Sequence, residues 1–169
     1  MSRQSSDSTL LFIMRHGEAE PARRDDRSRQ LTEYGRTQSL TTSNWLKKYS
    51  QNDSIDLALV SPYQRTRQTL DMMGHHHNFL NSQICQDIVP DGDIHLCHDY
   101  IDALLQQSLS KHKPLKTLLI VSHMPFVSYL LDEICQIQRM PLFATGAVAV
   151  IDYSGKGHRG SLLEHYQGS

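Results

Sequence analysis

The chain has 169 residues, 38% of them apolar, enough for one buried core and too few for two comfortable domains. Its 17 Lys and Arg nearly cancel its 18 Asp and Glu, without the positive excess that a nucleic-acid surface or an anionic membrane patch requires. Cys85, Cys97 and Cys135 are widely spaced and form no C-x-x-C pair, which disfavours a disulfide framework or a cysteine zinc site and points to a reducing compartment.

In chain order, the polar stretch Ser2–Thr9 is expected to be a disordered leader, residues 1–9, ahead of a single domain over 10–169. Leu10–Met14 reads as a strand; five apolar residues are too few for a signal-peptide core or a membrane span, so a cytoplasmic protein is expected. The mixed-charge run Arg23, Arg24, Asp25, Asp26 and Arg27 reads as a solvated loop that lies close enough to the first motif to touch a protein substrate. A helix is predicted over Thr32–Tyr49, diluted by Gly35 and several Ser and Thr, with Leu40, Trp45 and Leu46 as its buried face.

Leu57–Val60 reads as the second strand, and Ser61-Pro62 as a helix start, Ser as cap and Pro in the first turn, which puts Arg65 near that helix N-terminus. Gly74-His75-His76-His77-Asn78 is expected to be a solvated loop, because adjacent histidines point different ways and lack the i, i+4 arrangement of a helical metal site. Ile84–Val89 and Thr117–Val121 read as further strands. Asp93 is placed to cap a helix carrying Cys97, Ile101, Leu104 and Leu105, and Val127, Leu130, Leu131 and Ile134 repeat the helical spacing; Cys97 and Cys135 fit these apolar stripes as core residues. Ala147–Tyr153, whose strand core is Ala147–Ile151, and Ser161–Tyr166 flank the glycine-rich Ser154–Gly160 and read as a closing hairpin. The alternation predicts an α/β fold, a mixed, mainly parallel sheet with helices on both faces.

Arg15-His16, Ser61-Pro62 leading to Arg65, and Ser122-His123 each follow directly on an apolar strand. The carboxyl ends of strands line the ligand crevice of an open α/β sheet, so two arginines and two histidines are expected to gather there. Guanidinium forks and a helix N-terminus suit phosphate oxygens. A neutral imidazole can attack phosphorus while cationic neighbours stabilise charge on the equatorial oxygens, and the same cations disfavour imidazolium.

These motifs, in this order, resemble the histidine phosphatase superfamily: Arg15-His16-Gly17 after a strand, Ser61-Pro62-x-x-Arg65 with Gln68-Thr69, and Ser122-His123. The sequence is more closely similar to SixA-type phosphohistidine phosphatases through Phe12–Ala19, Leu31-Thr32-x-x-Gly35, Val60-Ser61-Pro62, Pro90-Asp91-Gly92-Asp93 and Val121–Pro125, a likeness spanning residues 10 to about 150. The resemblance implies a three-layer α/β/α, phosphoglycerate-mutase-like fold and a metal-independent enzyme without cofactor. It implies His16 as phosphorylated nucleophile and Arg15, Arg65 and His123 as the phosphate pocket; Glu18 beside them reads equally as a solvated loop carboxylate and as an acid catalyst or substrate contact.

Larger members of the superfamily use a glutamate as general acid, and here Glu18, Asp91 and Asp93 are the candidates. An alkoxide leaving group needs a proton, whereas imidazole, with a pKa of about 6.5, can leave already protonated. The resemblance implies phosphohistidine on a signalling protein such as a histidine-phosphotransfer domain as the substrate, to which the leaving-group chemistry lends indirect support; neither nucleic acid nor membrane is expected as partner, and the enzyme is expected to be a monomer. Two rival readings keep the same pocket: a small-molecule phosphomonoesterase or mutase, and a phosphoprotein-binding module without turnover.

Overall fold

Residues 8–168 are described in the structure, a computed structural model. The expected leader lies outside the described residues except for Ser8 and Thr9. Thr9 opens the first strand instead, with its hydroxyl donating to the Leu115 carbonyl at 2.6 Å.

Four strands, β1 (Thr9–Arg15), β2 (Ser54–Val60), β3 (Asn78–Ile84) and β4 (Thr117–Ser122), run parallel, and β5 (Val148–Tyr153) and β6 (Ser161–Tyr166) form an antiparallel hairpin. The sheet order is β3-β2-β4-β1-β5-β6. Alternation along the central strands sorts the core into two layers. Leu11, Ile13, Leu59 and Ile120 pack against α3 (Ile94–Ser110) and α4 (Phe126–Cys135). Phe12, Met14, Val60 and Val121 face α1 (Glu33–Leu46) and α2 (Gln64–Met73) on the other side. With both faces covered, β1 and β4 read as continuous apolar runs. Helices therefore lie on both faces of a mixed, mainly parallel sheet, as the sequence predicts.

Asp93 caps α3, its carboxylate accepting the Leu96 N–H at 3.1 Å, and the apolar stripes of α3 and α4 are buried as read. Cys85, Cys97 and Cys135 are buried free thiols; burial pushes Cys97 up to about 12 and Cys135 up to about 11.

Elsewhere the sequence reading is corrected. The third strand is Asn78–Ile84, not Ile84–Val89. It is an exposed edge of mixed polar and apolar residues held by backbone pairing to β2, without the continuous apolar run of the central strands, whereas the following loop tucks Cys85 and Ile88 into the core. The buried face of α1 is Gly35, Ser39, Thr42, Ser43 and Leu46; Leu40 and Trp45 are only half-buried. Its hydroxyls are satisfied within the fold, Thr42 donating to Gly146 O and Ser43 to Met73 O. Gly35 is required because a Cβ there would lie 2.0 Å from Glu18 O, where the helix crosses the loop after β1. His77 is buried rather than solvated, its ring bridging the Ser43 and Ser50 hydroxyls at 2.9 and 3.2 Å; His75 stays exposed. The second helix begins at Gln64 with Tyr63 as cap residue, so Pro62 precedes it and Ser61 does not cap it.

Candidate active site

Strand pairing sets the site. Arg15 of β1 is in register with Ser122 of β4, and Val60 of β2 with Val121. The ladder continues one residue past the strand ends: the His16 N–H donates to Ser122 O and the Ser61 N–H to Val121 O, each at 3.1 Å. His16 and His123 thus emerge from adjacent central strands with ring centroids 5.2 Å apart, edge to face.

Three consecutive contacts on α2 complete the arrangement. Arg65 Nε–H donates to His16 Nε2 at 3.2 Å. Thr69 accepts the Gly17 N–H at 3.1 Å, and Gln68 accepts the Leu31 N–H at 2.7 Å. These residues lie at i, i+3 and i+4 on one helical face, and that face holds both the loop after β1 and the entrance to α1.

The protonation of His16 follows from its partners. Gly17 O, which can only accept, lies 2.6 Å from Nδ1, and the Arg65 guanidinium, which can only donate, meets Nε2. Nδ1 therefore carries the proton and Nε2 keeps its lone pair. Burial lowers the His16 pKa to about 3; the Gly17 hydrogen bond opposes this, and the charges of Arg65, Arg15 and Arg29 add to it. His123 is lowered to about 2, first by burial and then by His16 and the same arginines.

A cavity of about 390 Å³ opens over this cluster, with Arg15, His16, Glu18, Asp26, Arg29 and Arg65 in its wall. Arg15 is anchored by donating from Nη1 to Phe143 O at 2.7 Å, while its buried Nε has no protein partner. His123 lies behind the wall, 1% exposed, its Nε2 2.7 Å from the Ser61 hydroxyl and its buried Nδ1 without a protein partner. A buried N–H left unpaired is costly, so the Arg15 Nε beside an arginine-lined cavity marks a place for an acceptor oxygen.

The structure thus gathers Arg15, His16, Arg65 and His123, with Glu18 at the rim, exposed and accepting the Thr32 hydroxyl at 2.9 Å. Asp91 and Asp93 do not line the cavity: Asp91 is exposed and Asp93 is spent on capping α3.

The sequence reading passed over Arg29 altogether and left Asp26 as a loop residue. Asp26 clips the two arginines together, one carboxylate oxygen on Arg29 Nε at 2.8 Å and the other on Arg65 Nη2 at 3.1 Å, and its carbonyl accepts from Arg65 Nη1 at 2.7 Å. Burial pushes the Asp26 carboxyl up, but the hydrogen bonds and charges of Arg65 and Arg29 outweigh it and hold it below the ordinary range. An Asp-x-x-Arg spacing in a loop has no fixed geometry, so nothing in the sequence marks this pair. Among the described residues no three His, Cys, Asp or Glu side chains are grouped to hold a metal ion.

Residues 11–88 match the family profile of the histidine phosphatase superfamily (branch 1). The phosphohistidine phosphatase SixA of Escherichia coli (strain K12) is 37% identical over 150 residues, covering 87% of this chain and 88% of that protein. The chain belongs to the histidine phosphatase superfamily, among its SixA-type members. A SixA homolog of Haemophilus influenzae is 32% identical over 161 residues, 92% of this chain and 93% of that one. A solved structure of the protein histidine phosphatase SixA complexed with tungstate superposes on this SixA-type fold with a TM-score of 0.83 at 31% identity, covering 94% of this chain and 97% of that one.

Proposed function

We propose that the chain is a protein phosphohistidine phosphatase that works through a phosphorylated His16. The observation that carries the reading is the neutral His16, its Nε2 lone pair held beside Arg65 in an arginine-lined cavity. In the first step Nε2 attacks phosphorus and the substrate's P–N bond breaks. The bond's electron pair leaves on the substrate imidazole, which departs neutral after taking a proton from solvent on its other ring nitrogen.

Arg15, Arg29 and Arg65 neutralise the transferring oxygens, with His123 in support. Because Gly17 O retains the Nδ1 proton, phosphorylated His16 is a cationic phosphoramidate whose own leaving group is a neutral imidazole. Water then attacks phosphorus, inorganic phosphate departs and His16 returns to its starting form.

Asp26, tied to two arginines and held ionised, offers no proton to a leaving group. An alkoxide would need that proton from the enzyme, whereas a phosphorylated imidazole takes its proton from solvent at the other ring nitrogen, which favours phosphohistidine over phosphoserine. The similarity to SixA proteins supports the same substrate class, with a histidine-phosphotransfer domain as the partner proposed here.

The test is phosphate release from a phosphorylated histidine-phosphotransfer domain, set against an aryl phosphate and phosphoserine at equal concentration, with His16→Ala as control. Much faster release from phosphohistidine, lost in His16→Ala, is expected. Turnover confined to small esters overturns the substrate, and turnover surviving in His16→Ala overturns the mechanism.

A further inference from the structure

Ser61, which the sequence suggests as a helix cap, has a different partner in the fold: its hydroxyl lies 2.7 Å from His123 Nε2. Ser61 is completely buried and His123 is 1% exposed, so the pairing is direct and shielded from bulk solvent. The serine is held from both sides, its N–H on Val121 O at the end of β2 and its carbonyl accepting the Thr66 hydroxyl from the first turns of α2, at 2.9 Å. The His123 ring is confined in turn between His16 and Tyr63, with centroids 5.2 and 4.8 Å away.

Two proton arrangements are possible across the 2.7 Å contact. If His123 Nε2 carried the proton, it would donate to Ser61 Oγ, which already faces the Tyr63 N–H at 3.5 Å. The serine proton would then have no acceptor among the described residues, and the buried Nδ1 would be a lone pair with no donor. If the serine donates instead, its proton is used, Nε2 is satisfied, and Nδ1 becomes an N–H. Only that N–H is then left without a protein partner, on a ring whose centroid lies 5.2 Å from that of His16 in the cavity wall, a position from which it is available to a phosphoryl oxygen bound on His16.

We propose that Ser61 is a positioning residue that donates its hydroxyl proton to His123 Nε2 and thereby fixes His123 as the Nδ1–H tautomer, a ready donor to the phosphoryl group. The tautomer stands independently of the substrate; its use in turnover rests on the phosphatase reading above. A hydroxyl is the group suited to this position: it is small enough for the end of β2 and cannot be replaced by a side chain that only accepts.

Long-range ¹⁵N–¹H correlation of the full-length protein, labelled at histidine, tests it. The expected result is a neutral His123 protonated at Nδ1, with tungstate moving the Nδ1 resonance and leaving Nε2 in place. In Ser61→Ala the tautomers mix and kcat for phosphohistidine falls about tenfold with little change in KM, while Ser61→Thr keeps the wild-type tautomer. A wild-type His123 protonated at Nε2, a tungstate shift carried by Nε2, or an unchanged tautomer in Ser61→Ala overturns the proposal. The wild-type spectra decide it even where a variant does not fold. The expected tautomer in a protein inactive on phosphohistidine sinks the substrate reading and spares the role of Ser61, with kcat then read on an aryl phosphate.

Discussion

At the scale of single residues, His16 and Arg65 separate two roles that the mechanism combines. On the proposed mechanism His16→Ala removes the attacking lone pair but leaves the guanidinium groups, so turnover is expected to fall to background while tungstate still binds, as calorimetry would read. Arg65→Ala removes charge from phosphate and the donor on His16 Nε2 together, so kcat/KM should fall by roughly 10²–10³ and tungstate affinity should fall with it. Tungstate affinity unchanged in Arg65→Ala would count against its place in the pocket. The four residues could be read from the sequence because Arg15-His16 and His123 stand at the ends of apolar runs and Arg65 opens the helix that follows one, and strand termini in an α/β sheet share one edge. Arg29 and Asp26 could not, since their meeting depends on how the loop between Ala19 and Leu31 folds back on α2.

Among the elements, α1 shows how a helix can hide its purpose. Its interior side is glycine and hydroxyl residues, so the sequence carries no apolar stripe to announce which face is inward. Gly35→Ala provides a test with opposing terms. Helix propensity alone favours alanine by about 1 kcal/mol, but the new methyl would meet the Glu18 carbonyl at 2.0 Å, a backbone atom that cannot swing away. The clash should win, giving a net loss of roughly 1–3 kcal/mol in urea denaturation and reduced turnover through displacement of the His16 loop. A stabilised Gly35→Ala would refute the packing argument. α3 and α4, by contrast, announce themselves through plain apolar spacing and a carboxylate cap. β3 is silent for the opposite reason: an edge strand needs only backbone partners, so its side chains are free to be polar.

For the whole molecule, two imidazoles held neutral make stability depend on pH. A free imidazole titrates near 6.5, whereas His16 and His123 are lowered to about 3 and about 2. Below 6.5 the unfolded chain therefore takes up protons that the folded protein refuses, so stability is complete above that pH and falls as pH drops from 6.5 towards 3. Each histidine contributes a slope of up to about 1.4 kcal/mol per pH unit, so His16→Gln should lose stability less steeply than wild type between about pH 6 and 4 in urea titrations. Equal slopes would mean that His16 is not held neutral. The pairing of Arg15 with Ser122 has a different consequence, which concerns change over time. The distance between the two histidine rings is set inside the sheet, whereas the connecting segments over 19–31, 85–93 and 136–146 supply only the wall around them: Asp26 and Arg29, Pro90, and the Phe143 carbonyl that anchors Arg15. Such a molecule can be refitted to new partners by editing the exposed positions of those segments, provided that the handful of loop groups holding the arginines stays in place.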